Sequence, residues 1–303
     1  MSVERVTGAA GQHSNLPGIL AMLAGSIAII CNDSIIKLLG THLPAGEIMA
    51  LRGALVSGLL LAACLWYGAL TAPASYLLKP AFSLRLIGEM GATVTFLVSL
   101  MHMRFADASG IQQFQPLAVT AASAVFLAEP VGWRRWLAAL AGFIGVLLIV
   151  KPGSGAFEPY ALLSGACVVF VALRDLATRV VAQGVPTLVL ALSSALIVMF
   201  AGFAMQTGGA WVAPQPLEWL GVAVTASLMF AGYMLITTAV RIAELSVVSP
   251  FRYASVIFAV LLQIGIWGIV PDAWTLLGIA IVVGAGMYAF HREQMRRNSG
   301  ITG

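Results

Sequence analysis

The chain has 303 residues, 60% of them hydrophobic and only 9% charged, with a formal net charge of +4. A soluble domain carries about 25% charged residues to keep its surface in water, so twelve acids and sixteen bases cannot solvate a globule of this size. This composition excludes a soluble enzyme, a disordered chain and a nucleic-acid-binding module, whose basic residues would be clustered; lipid must be the solvent for most of the surface.

A bilayer span takes roughly 20 apolar residues. Residues 1–16 are small and polar and read as a cytoplasmic tail, with no basic segment leading into a cleavable signal. Apolar runs bounded by Pro, Gly and charge then predict ten helical spans at 17–38, 47–67, 84–103, 108–127, 134–150, 159–180, 186–205, 217–240, 246–268 and 273–290. The runs are too long, and alternate too little, for β-barrel strands. Residues 291–303 form a basic tail. The expected architecture is an all-α polytopic membrane protein.

Basic residues set orientation. With the N-terminus inside, ten fall on the cytoplasmic side: Arg5, Lys79, Arg85, Arg134, Arg135, Arg179, Arg241, Arg292, Arg296 and Arg297. Only Lys37, Arg104 and Lys151 fall on the other. Both termini are therefore expected in the cytoplasm of an inner-membrane, multi-pass protein.

The chain also repeats itself. A shift of 142 carries Asp33 and Lys37 onto Asp175 and Arg179, and Pro44 onto Pro186. A shift of 137 carries Arg104 and Asp107 onto Arg241 and Glu244, and a shift of 141 carries Pro130 and Trp133 onto Pro271 and Trp274. Each copy has five spans, an odd number, so the second must enter the membrane from the opposite side. Residues 17–150 and 159–290 then form two inverted five-helix repeats, a plan of secondary transporters with the substrate site between the halves.

Several motifs follow in order: Lys37 with Pro44, Arg52 in Ala50-Leu51-Arg52-Gly53-Ala54, Phe126-Leu127-Ala128-Glu129-Pro130, and Gly142-Phe143-Ile144-Gly145-Val146. In this order and spacing the chain resembles the drug/metabolite transporter superfamily, EamA-type, with two five-helix repeats. The resemblance implies a transporter, and it includes exporters of aromatic and other amino acids. The second half departs from the pattern at the end of span nine, where Trp267 and apolar neighbours stand in place of an acid, leaving Glu129 without a counterpart.

Ionisable groups inside a membrane are costly and mark functional positions by default. Asp33 and Lys37 lie one helical turn apart, either as a structural ion pair or as a pair facing a cavity. Asn32 precedes Asp33 as Arg174 precedes Asp175, and adjacent residues project about 100° apart. Arg52 either snorkels to the surface or serves a substrate or gate. Glu89 either lies near the cytoplasmic interface or is protonatable. Asp33, Glu89 and Asp175 are the candidate proton carriers.

Spans four and nine carry Gln112-Gln113-Phe114-Gln115-Pro116 and Ser249-Pro250-Phe251-Arg252-Tyr253 at equivalent places. Proline interrupts helical hydrogen bonding, so Pro116 and Pro250 are candidate hinges. Gln112, Phe114, Gln115, Phe251, Arg252 and Tyr253 are candidate substrate contacts, with packing by interhelical hydrogen bonds as the alternative. Arg252 would hold a carboxylate, or pair with Asp33 or Asp175. The small-residue pairs Ala138/Gly142, Ala141/Gly145 and Ala280/Gly284 fit close helix packing.

The leading functional expectation is export of amino acids by alternating access. Uptake of a cofactor-like metabolite, riboflavin or S-adenosylmethionine, is the alternative. An intramembrane enzyme is disfavoured because no GxGD or nucleophile motif occurs, and ATP coupling because no Walker A sequence does. Cys31, Cys64 and Cys167 sit singly in apolar runs and the four histidines are scattered, so no disulfide, metal or cofactor is expected. The partners expected are a small-molecule substrate and the lipid bilayer; no obligate protein partner is called for, and a monomer suffices.

Overall fold

The structure, a computed structural model, describes residues 16–70, 79–126, 132–151, 158–181, 185–242 and 249–298. Without water to satisfy backbone polar groups, a chain in lipid must bond them within helices, and the described residues are helical with short connections. They comprise α1 (Leu16–Leu39), α2 (Ala45–Trp66), α3 (Pro80–His102), α4 (Phe105–Gln112), α5 (Gln115–Phe126), α6 (Trp133–Val150), α7 (Ala161–Val181), α8 (Thr187–Gln206) and α9 (Pro216–Ile242). A 3-10 turn (Ser249–Tyr253), α10 (Ala254–Trp267) and α11 (Ala273–Asn298) complete the order. Seven of these helices (α1, α2, α3, α7, α8, α9 and α11) are long and apolar enough to cross a membrane.

The fourth and ninth expected spans differ from the rest, because each is built from two pieces. Span four breaks at Gln113–Phe114, and Pro116 falls in the first turn of α5, where a missing N–H costs nothing. Span nine opens as the 3-10 turn that contains Pro250. Both prolines thus stand where helical hydrogen bonding changes. α4 and α5 together, and the turn with α10, count as one segment each, so the described elements make ten segments. The expected N-terminal tail, Glu129 with Pro130, and the end of the C-terminal tail from residue 299 lie outside the described residues.

Counting segments from one to ten, the principal packed pairs are one with eight, two with seven, three with six and five with ten, and four also meets nine. Exchanging each segment for the one five places on maps this set of pairs onto itself. Glycines set the closest approaches. A Cβ on Gly202 of α8 would lie 2.4 Å from the backbone N of Ala50, and one on Gly53 2.8 Å from the Met199 backbone. Between α6 and α11, a Cβ on Gly278 would lie 2.6 Å from the Gly145 carbonyl. Gly142 receives Leu117, whereas Gly284 has nothing within 4 Å, so the Ala280/Gly284 pair does not make the close contact its spacing suggested.

The chain runs up and down ten times, so the connections fall at two ends. One end gathers the α1–α2, α3–α4, α8–α9 and α10–α11 connections, where Leu39, Leu43, Leu100, Met103 and Phe105 are buried in the largest apolar cluster. Because backbone atoms leave no slack at Gly202, overpacking there should cost at least the usual 1–3 kcal/mol, roughly. Gly202→Leu should separate α2 from α8 and sharply lower the yield of monodisperse protein in detergent, whereas Gly284→Leu should not.

Candidate functional site

Burial of charge in the middle of the bundle organises the site. Arg52 on α2 and Arg85 on α3 are both buried, at 9% and 7% exposure. Arg85 donates to Ser194 Oγ at 2.9 Å and Ser193 Oγ at 3.4 Å on α8. Ser194 in turn donates to Glu89 Oε2 at 3.1 Å. Arg174 on α7 lies 3.7 Å from Glu89 Oε1, and its Nε donates to Asp175 Oδ1 at 2.9 Å. Asp33 on α1 accepts a 2.9 Å hydrogen bond from Asn32 Nδ2 and is in electrostatic reach of Arg52. Tyr233 on α9 lies within electrostatic reach of Glu89, Arg174, Arg52 and Asp175.

Three guanidinium groups and three carboxylates therefore meet between α1, α2, α3, α7, α8 and α9. Asp33 lies six residues, about 9 Å, from the end of α1, and Glu89 lies nine residues into α3. Tyr233 is 49% exposed and the Asp175 side chain 40%, although charged groups of several helices surround them. Such a combination describes an open polar cavity between helices. The buried Asn32 Oδ1 has no hydrogen-bond partner.

Several local readings of the sequence are corrected by this geometry. Lys37 does not pair with Asp33. Its ammonium donates to the carbonyls of Leu100 and Met103, at 2.6 and 2.5 Å, and satisfies the open C-terminus of α3. Arg52 does not snorkel to the surface but is held inside. Arg174 and Asp175, despite their 100° offset, reach each other because the guanidinium stem is long enough to fold back. Arg85 belongs to the interior and leaves the tally of cytoplasmic bases, because α3 starts at Pro80 rather than residue 84.

The residues of spans four and nine are mostly kept apart. Gln112 donates to Ser164 Oγ at 2.9 Å, Gln115 to Gln112 Oε1 at 2.5 Å, and Gln113 to Ser255 Oγ at 3.2 Å. Phe114 packs with Leu117, Ala138 and Ala285 between α5, α6 and α11. Phe251 packs beside Met22 and Ala239. The Tyr253 ring fills the notch at Gly286, which has no Cβ to oppose it. Arg252 is exposed, and its expected alternatives, Asp33 and Asp175, are engaged by Asn32 and Arg174.

A second charged group closes the end that carries the α3–α4 and α10–α11 connections. Arg104 pairs with Asp107 at 2.7 Å and with Asp272 at 3.3 Å, while Lys151 reaches Asp272 at 2.5 Å. Asp272 also caps α11, accepting from the N–H groups of Trp274 and Thr275 at 3.1 Å. Gln263 Oε1 accepts from the Ala106 N–H at 2.6 Å, and Trp267 packs on Phe105 beneath the Lys37 ammonium.

An interior lined by paired charges suits translocation better than bond-making chemistry. Residues 16–151 match the EamA-like transporter family. This stretch is an EamA-like domain of the drug/metabolite transporter superfamily. Over the whole chain, the S-adenosylmethionine uptake transporter of Rickettsia conorii is 23% identical, across 93% of this chain and 95% of its own. The pseudopaline exporter CntI of Pseudomonas aeruginosa is 28% identical, across 88% and 93%. A riboflavin transporter of Vibrio cholerae is 30% identical over 55% of this chain and 56% of its own. One solved crystal structure shares the fold at a TM-score of 0.61 and 22% identity, covering 92% of this chain and 98% of that one. At a coarse level the protein is a multi-pass membrane transporter, as these relatives are.

In this bundle, sequence reading missed Arg85, Ser193, Ser194 and Tyr233. The i, i+4 spacing of Arg85 and Glu89 was the available signal, since it places a base and an acid on one face of α3. Outside the spans, burial would raise the Asp272 carboxyl, but hydrogen bonds from Lys151 and Thr275 outweigh it and hold the group well below the usual carboxylate range. A depressed folded value means that the tie is complete above the ordinary value of about 3.9, and is lost only as pH falls through the lower folded one. Isotope-edited infrared titration of the protein in nanodiscs should place the Asp272 midpoint below that ordinary value, and Lys151→Gln should raise it.

Proposed function

We propose that the protein is a secondary transporter of amino-acid-type zwitterions, working by alternating access between two inverted five-helix repeats, with export of amino acids as its leading role. The observation that carries the reading is the interior set of Arg52, Arg174, Asp33, Glu89 and Asp175 around Tyr233. A guanidinium suits a carboxylate through charge-assisted, paired hydrogen bonds, and a carboxylate suits an ammonium group. A zwitterion can replace one internal partner of each sign, so the interior stays neutral as substrate enters and leaves. Gln112, Gln115 and Asn32 supply further polar contacts, Pro116 and Pro250 mark the hinges, and the self-mapping helix pairs support the inverted repeat. Glu89, Asp33 and Asp175 are the groups available to couple protons.

S-adenosylmethionine uptake is the second reading. That ligand has the same amino-acid head group, and the Rickettsia transporters align with nearly the whole chain. Riboflavin fits less well, because a neutral ring system would leave the interior charges unused.

Proteoliposomes loaded with labelled amino acids, S-adenosylmethionine or riboflavin, with and without a pH gradient, test the reading. Zwitterions should move and riboflavin should not; transport of riboflavin alone would reverse the assignment. Arg174→Lys retains charge but loses the fork that serves Glu89 and Asp175, and should lower affinity for the carried zwitterion by at least tenfold. Both termini are assigned to the cytoplasm of the inner membrane, since removing Arg85 leaves nine bases against three. A cysteine at Thr207, just after α8, should accordingly react with an impermeant maleimide from outside intact cells.

A further inference from the structure

The charged group around Asp272 lies outside the central cavity. Its members come from both halves: Arg104 and Asp107 at the start of α4, Lys151 at the end of α6, and Asp272 before α11. They line one cavity together with Met103, Ile149, Glu158 and Trp274. Asp272 is the crossing point, because among the described residues it is the acid of the second half that meets two bases of the first. Lys151 is the only non-glycine residue with positive φ among the described residues, at 52°. A side chain with a Cβ is disfavoured in that conformation, so the pair with Asp272 holds Lys151 in a backbone shape it would otherwise tend to leave.

The internal repeat sets Asp272 apart in sequence. Arg104 and Asp107 correspond to Arg241 and Glu244, and Lys151 corresponds to Arg292, so both bases and the first acid recur. Asp272 corresponds to Val131. Asp272 thus has no acidic counterpart at its own repeat position. If Asp272 only capped α11, it would need no guanidinium and no ammonium, since backbone N–H groups suffice for a cap.

We propose that Asp272, with Lys151 and Arg104, is a latch that holds this end of the transporter shut and must release for the bundle to open there. The inference rests on the transporter reading, but the latch can be read without any substrate. Asn is as good a helix cap as Asp, so Asp272→Asn removes the charge and keeps the cap; Lys151→Gln removes the other partner and leaves the cap untouched.

The test places a single cysteine at Ala108, which is fully buried one turn beneath Arg104, in a background with Cys31, Cys64 and Cys167 replaced. An impermeant maleimide is applied to this protein in nanodiscs. Asp272→Asn and Lys151→Gln should each raise the labelling rate at least tenfold without lowering the thermal unfolding midpoint by more than a few degrees. A double variant, Lys151→Cys with Asp272→Cys, bridged by a reducible bifunctional thiol reagent, should stop labelling at position 108, and a reductant should restore it. Unchanged labelling in both single variants, or labelling that persists in the bridged protein, would overturn the latch. Faster labelling in a protein that carries none of the substrates tried would uphold the latch and count against the substrate assignment alone.

Discussion

A charge inside a bilayer must bring its own counter-charge, and that constraint governs the arrangement of this bundle. Arg52, Arg85 and Arg174 stand on three different helices, and each needs acceptors that its own helix cannot fully supply. Arg85 finds them on α8 through Ser193 and Ser194, and Arg174 on α3 through Glu89. Breaking one pair by removing a single partner is costly, because the remaining charge is stranded. The helices are thus tied at mid-depth by groups that also face an open space. The side chains that anchor the helices are also those that line the cavity.

Around this polar centre the packing is close and depends on missing side chains. Where α2 meets α8 and α6 meets α11, glycine lets backbone approach backbone, and dispersion rather than hydrophobic expulsion holds the pairs together, since lipid is as apolar as the helix surface. Gly202 and Gly278 leave less than 3 Å to the facing backbone for any Cβ. These pairs behave as rigid units. By contrast, the helix breaks fall between α4 and α5, at Gln113–Phe114, and in the 3-10 turn before α10.

Much of the architecture was legible because lipid imposes a length, and apolar runs of about 20 residues between Pro and charge have few alternative readings. The broken segments were legible through Pro116 and Pro250. The site was legible only by residue type. Asp33, Glu89, Arg174 and Asp175 announce themselves as ions in apolar sequence, but their partners are set by which helices adjoin, and spacing along one helix misled. Lys37 is one turn from Asp33, yet two unsatisfied carbonyls at the end of α3 attract its ammonium more directly than a carboxylate already serving Asn32 and Arg52. Tyr233 carried no signal at all, since a tyrosine in a span usually reads as an interface residue. The aromatics of spans four and nine were overread: a ring beside a glutamine in sequence can point into the opposite packing layer, as Phe114 does.

The chemical inequality of the two halves bears on how the protein could work. Under the repeat, Asp33 and Asp175 are equivalent, but Arg52 corresponds to Ser194, Arg85 to Val222 and Glu89 to Ala226. The first half therefore supplies most of the interior charge, and the second supplies hydroxyls and apolar surface to receive it. Two halves with identical chemistry would give two states of equal energy, and substrate would be held alike from either side. In the proposed exchange of conformations, Arg52, Arg85 and Glu89 would meet partners that differ in kind from those they leave, and the two states would differ in energy. Such a difference cannot drive net flux, which only gradients can do, but it sets which state predominates when no substrate is bound and hence from which side the cavity is first offered.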